Sequence, residues 1–130
     1  MNRNIILAIL LSLLAIHSVS HYCGPSRVPQ LAGKSFKIAS GPYKKATAVF
    51  KFTENSVSWR QCNIYNCKFT QNRYQISITD CISTKIACND PFESPIAMLM
   101  KAAKRFIISG SKIVLIDEKK NGLLWLKQVK

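Results

Sequence analysis

Residues 61–88, QCNIYNCKFTQNRYQISITDCISTKIAC, hold four of the chain's five cysteines, at positions 62, 67, 81 and 88. The intervening gaps are 4, 13 and 6 residues. Between the second and third cysteines the chain reads as a hairpin. A polar Gln71-Asn72 turn is followed by Tyr74, Ile76 and Ile78 alternating with Arg73, Gln75 and Ser77, which gives one wet face and one buried face. Asp80 and Cys81 break the alternation, and ISTKIAC continues as a short connection or strand. Cysteines set among strand pairs read as a disulfide framework if the compartment is oxidising. The rival reading is zinc, whose ligands usually come in pairs with two to four intervening residues; Cys62 and Cys67 fit that spacing, and Cys81 and Cys88 do not.

The N-terminus points to export. Arg3 precedes an apolar run from Ile5 to Ile16 broken only by Ser12, and Ser18-Val19-Ser20 then offers small residues for cleavage, so residues 1–20 are expected to be a signal peptide. The run is shorter than the ~20 residues that span a bilayer. A soluble, secreted product is expected. Residues 21–130 suit one domain with a modest core. They carry eighteen Lys and Arg against six Asp and Glu, a formal charge of +12. Such a balance favours acidic partners.

Residues 21–30 hold Cys23, Pro25 and Pro29 and read as an irregular lead-in, with the domain proper at 31–130. KSFKIA, TAVFKF and NSVSWRQC are runs of strand formers separated by Gly41-Pro42 and Glu54-Asn55. One helix is expected after Asn89. Asp90 is placed to cap it, Pro91 to open it and Glu93 to complete a capping box, while Phe92, Ile96, Leu99, Met100 and Ala103 form one apolar stripe. A meander follows, with turns at Gly110-Ser111 and at Asn121-Gly122, where positive φ is expected. Ile113 to Ile116 and Leu123 to Leu126 are apolar on successive residues, so both faces of these strands are expected to be covered, one of them by the helix.

Gln61-Cys62-Asn63, with Cys67 at a glycine position and Phe69 as the following aromatic, resembles the GCN-x-x-x-G-x-Y element of the META domain. That domain is also found in the bacterial heat-shock protein HslJ. Ser83 to Cys88, STKIAC, resembles the family's second element, S-T-(R/K)-M-A-C. The resemblance spans roughly residues 31–128. It implies an α+β, mostly β fold: a small curved antiparallel sheet or cracked β-barrel of about seven to eight strands, closed by one helix. It also implies exported or envelope-associated proteins linked to heat stress, drug tolerance or parasite virulence, without established catalysis and without a cofactor. Gln61 and Cys67 depart from the family's glycines. Cys67 and Cys81 look like an acquired second pair. Motif position and nesting then imply bridges from Cys62 to Cys88 and from Cys67 to Cys81, leaving Cys23 over. A monomer is expected, with a covalent dimer through Cys23 as the alternative.

Catalytic constellations are poorly served. His21 is the one histidine of residues 21–130, so a Ser-His-Asp triad or a Cys-His pair would have to recruit the terminus. Asp90 and Glu93 have capping roles, Asp117-Glu118 sit at a turn, and there is no P-loop or dinucleotide fingerprint. Binding to a protein or cell-surface partner is therefore expected. The alternative is a cationic effector in which Lys101, Lys104, Arg105, Lys119 and Lys120 gather to bind sulfated glycan, anionic lipid or extracellular nucleic acid by counterion release. Nothing resembles a base-reading motif, so sequence-specific nucleic-acid binding is not expected. A third reading, inhibition of a secreted hydrolase, would use a tethered turn at 63–66. The bland reading of the charge is a solvated surface.

Overall fold

A computed structural model describes residues 27–130; the expected signal peptide and Cys23 lie outside the described residues. Eight antiparallel strands follow in chain order: β1 (Ser35–Ser40), β2 (Val49–Phe52), β3 (Ser56–Arg60), β4 (Ile64–Asn72), β5 (Gln75–Ser83), β6 (Arg105–Ser109), β7 (Lys112–Ile116) and β8 (Gly122–Val129). Each pairs with the one before it, and β8 returns to β1 to close a barrel. The single helix among the described residues, α1 (Glu93–Ala102), lies between β5 and β6. No helix there is long and apolar enough to cross a membrane.

Closure follows from alternation. Phe36 and Ile38, Phe50 and Phe52, Val57 and Trp59, Cys67 and Phe69, and Ile76 and Ile78 each sit two apart on their strand and are buried. Side chains two apart share a face. Together with Phe106, Ile113, Leu115, Leu124 and Leu126 they fill one interior. Edge-on aromatic pairs tie neighbouring strands, such as Phe36 with Phe52 at 5.7 Å between ring centroids.

The barrel is weakest where β5 meets β6. Only Gln75 and Arg105 are in register there, flanked by backbone bonds from Ile76 N–H to Lys104 O (2.9 Å) and from Phe106 N–H to Tyr74 O (3.0 Å). The helix supplies the missing cover, since Ile96, Ala97, Met100 and the following Ala103 join the core. Its start departs from expectation. Helical geometry begins at Glu93 after Phe92, with no side-chain cap, so Pro91 lies outside it. Asp90 Oδ1 accepts the Phe92 N–H at 2.9 Å, but the Glu93 carboxylate forms no capping box, because the amides of another segment claim it.

Two turns depart from expectation, and one strand break takes definite form. β4 runs through Asn72, so the hairpin turns at Arg73 (φ 58°) and Tyr74 rather than at Gln71-Asn72. Gln71 is instead bonded to the lead-in, accepting the Leu31 N–H at 3.0 Å and donating to Pro29 O at 2.9 Å. The break at Asp80 and Cys81 is a β-bulge: both stand opposite Cys67, between the pairs Asn66–Ile82 and Lys68–Thr79, with Asp80 at φ 51°.

In the last hairpin the positive φ falls on Lys120 (67°), not on Gly122. Gly122 serves another purpose: a Cβ there would meet the Trp125 ring at 2.8 Å, and one at Gly41 would meet it at 3.3 Å. Trp125 thus lies against the outside of the barrel beside its cross-strand partner Val114. That accounts for Val114 and Ile116 being buried on the face away from the core. Trp125 lies on the outer face, while the helix shares the core with the inward residues of β7 and β8, as expected of one face.

Candidate functional site

Two polar regions stand out. The first is a buried knot at one end of the barrel. Asn63 and Glu93 are the buried polar side chains among the described residues. Asn63 Oδ1 accepts the Thr84 hydroxyl (2.8 Å) and the Ile86 N–H (2.7 Å), and its Nδ2 donates to Ile86 O (3.1 Å). Glu93 accepts the N–H groups of Cys62 (2.7 Å) and Asn63 (3.0 Å). Gln61 accepts the Ala48 N–H at 3.1 Å and donates to Asp90 at 2.8 Å. Cys62 is joined to Cys88 across the same knot, with Cα atoms 6.3 Å apart.

The two sequence elements at 61–63 and 83–88 are therefore halves of one hydrogen-bonded structure, tied to the start of α1. Burial by itself would raise the Glu93 carboxyl. The amides of Cys62 and Asn63, with the Asn63 and Tyr65 side chains, hold it below the ordinary carboxylate range. Burial, then the bond to Glu93, pushes the Tyr65 hydroxyl up. The ring of Tyr65 is stacked on Trp59 at 4.9 Å. A carboxylate so occupied stays ionised and holds the chain together; it is poorly placed to move a proton. Cys67 is joined to Cys81 across the β5 bulge, with Cα atoms 4.0 Å apart. The thiols of both pairs are thereby consumed, and no cluster of three or more His, Cys, Asp and Glu among the described residues could hold a metal.

The second region is the outer wall. With Phe36 and Ile38, Ile113, and Leu126 facing inward, Lys37, Lys112 and Lys127 face out. Lys127 is in register with Lys37 on one side and with Lys112 on the other. Three ammonium-bearing positions thus form one row across β7, β8 and β1. Lys44 of the β1–β2 loop joins them around a depression of about 620 Å³ that includes Thr47 and Val49. Thr47 and Val49 also line the next depression, about 460 Å³, with Lys51, Ser58 and Arg60. A third, carrying Lys45, begins at Thr47 and reaches Cys62 and Cys88. Seven cations line these three adjoining depressions, and the one carboxylate, Asp90, is bonded to Gln61.

The cations singled out from the sequence lie elsewhere. Lys101 is in the last turn of α1, and all five are exposed. Lys104 N–H donates to Ile116 O at 2.9 Å, which sets Lys104 and Arg105 beside the strand end leading into the turn of Lys119 and Lys120. Arg105 lines a separate shallow depression with Asn72, Arg73, Tyr74 and Gln75. The Lys119–Lys120 turn is organised by Asp117, which accepts the N–H groups of Asn121 (2.8 Å) and Lys119 (2.9 Å). These bonds, those from Asn121 first, hold the exposed Asp117 carboxyl below its usual range. Residues 63–66 form no exposed turn: Asn63 is in the knot and the rest belong to β4. Alternation alone marks Lys37, Lys112 and Lys127 as outward. Their adjacency needs the β1–β8 closure, between segments about ninety residues apart.

An antiparallel eight-stranded barrel, sealed at its weakest seam by one helix and knotted at one end by Asn63 and Glu93, defines a small antiparallel β-barrel class. The META domain family model matches residues 27–130, and the chain belongs to that family. Among solved structures, an NMR structure of a protein from Burkholderia xenovorans superposes with a TM-score of 0.58 at 14% identity, covering 85% of this chain and 97% of that one. A second NMR structure superposes with a TM-score of 0.58 at 17% identity, covering 79% of this chain and 95% of that one. Both likenesses concern the fold. No curated protein matches the chain.

Proposed function

We propose that this META domain is an exported, non-catalytic binding domain whose working surface is the basic outer wall. One observation carries the reading: Lys37, Lys127 and Lys112 stand in register on three neighbouring strands. Like charges directly opposite one another oppose sheet formation. Folding gives no reason for them, whereas an anionic ligand does. The disulfides at Cys62–Cys88 and Cys67–Cys81 support an oxidising compartment. Glu93 and Cys62, Cys67, Cys81 and Cys88 are engaged in the knot or the bridges, which supports binding over turnover at those groups.

Elution of the oxidised chain from a heparin column along a salt gradient, beside a control protein of equal size and charge, tests the reading. Later elution than the control is expected. Co-elution would reduce the charge to surface solvation and overturn it.

A second reading rests on Ile64 (48% exposed), Ile82 (77%) and Ile86 (60%), which flank the knotted end. They favour a protein partner in stress, secretion or host interaction, bound in a salt-tolerant manner. Affinity that survives high salt but falls on Ile82→Ser would support it.

A further inference from the structure

The geometry points to a linear sulfated polysaccharide as the ligand of the wall, lying across the strands from β7 to β3; this deepens the anionic-ligand reading and rests on it. Strands in a sheet lie about 4.8 Å apart, so Lys112, Lys127 and Lys37 form a charge ladder of that period. Val49, in register with Lys37, carries the surface on to Lys51 and Arg60. Five neighbouring strands make a path of roughly 20 Å. The ladder is built on backbone in a closed barrel, so the positions that carry its charges are set before a ligand arrives.

Three features select this class of polyanion. The surface is a trough, because Lys44 and Thr47 of the loop after β1 stand beside the strands. A flexible chain of repeated anions can enter a trough, and a flat lipid surface meets only its rims. No aromatic residue lines the lysine depression, and Trp59, beside the next one, is buried in the core, so neither offers the stacking platform that single-stranded nucleic acid uses. The cations are mostly lysines, point charges suited to scattered sulfates, with Arg60 the one guanidinium for a bidentate grip.

The test is solution binding of a fluorescent heparin oligosaccharide to the oxidised chain across a range of salt. Wild type is compared with K37S/K112S/K127S and with the equally charged K101S/K104S/K119S. The row variant is expected to lose at least about tenfold in affinity and about two to three from its log–log salt slope, while the other variant stays near wild type. Removing mutual repulsion should leave the melting temperature of the row variant unchanged or higher, which separates lost binding from lost folding.

Equal loss in both variants would overturn the site while leaving the anionic-ligand reading standing. Binding as tight to desulfated heparin, or tighter to single-stranded DNA of matched charge, would overturn the ligand class. Capture by phosphatidylserine vesicles without oligosaccharide binding would reassign the surface to lipid. Failure of wild type to bind any polyanion better than the charge-matched control would bring down both readings.

Discussion

The knotted end and the basic wall treat charge in opposite ways. At the knot, one carboxylate is buried and met by the amides of Cys62 and Asn63. On the wall, three lysines are set side by side with no carboxylate lining their depression. The first arrangement satisfies each group it buries and holds distant segments together; the second opposes the sheet that carries it. The residues that identify the family, Asn63 and the 83–88 element, therefore explain the fold, while the unneutralised lysines ask for something outside the molecule. The comparison breaks if the knot proves dispensable for stability or the wall proves necessary for it.

The largest expected effect comes from opening the knot covalently. Cys62→Ala with Cys88→Ala releases a bridge spanning 26 positions, and the chain-entropy model puts the loss at about 3.5 kcal/mol. Such a loss is comparable with the net stability of a small domain. The urea midpoint of the oxidised double variant, against wild type, measures it. An unchanged midpoint would mean that hydrogen bonds alone hold this end.

Next is Glu93→Ala, which strips the acceptor from two amides and costs about 2 to 3 kcal/mol. Glu93→Gln keeps one carbonyl acceptor and should cost less. Heparin affinity should be unaffected by either substitution under conditions where the variant remains folded. A matching loss of affinity would show that the two regions are coupled.

Acid separates them further. The Glu93 carboxyl lies below its reference value of 4.5 in the folded chain, so it contributes stability that is full above about that pH. That contribution disappears as pH falls through the depressed folded value. The stability gap between wild type and Glu93→Gln should accordingly narrow on acidification, as urea midpoints taken from pH 6 downward would record. A gap independent of pH would mean that the carboxylate is not the ionised hub.

Much of the fold was legible because its signals are local. Tyr74, Ile76 and Ile78 alternate as a half-buried strand should, the stripe from Ile96 to Ala103 reaches the core, and the break at Asp80 and Cys81 marks a real bulge. What escaped is non-local. Glu93 sits where a capping box would place it, yet its partners are thirty residues upstream; backbone amides at the knot, bonded to a buried carboxylate, outcompete the helix end. Gly122 looked like a turn residue and is a seat for Trp125. The lysine row escaped for the same reason: Lys37 and Lys127 are neighbours only because β8 closes onto β1. Charge density along the chain points to 101–105 and 119–120; the row at Lys37, Lys112 and Lys127 is brought together by register, which sequence proximity does not show.

The smallest effect is the sharpest test of what the wall is for. Lys127 stands between Lys37 and Lys112, so Lys127→Glu converts two repulsive cross-strand pairs into two attractive ones. Exposed pairs of this kind are worth a few tenths of a kcal/mol each, so the variant should be more stable by about 0.5 kcal/mol, less at high salt. Its heparin affinity should fall at the same time, by more than the loss from reversing Lys101. The two opposed changes in one variant separate the explanations. A wall kept only for solubility would gain stability and lose no more binding than any other charge reversal. A wall that supports the sheet would lose stability. Only a surface that accepts internal repulsion in return for an anionic ligand predicts a more stable protein that binds less well.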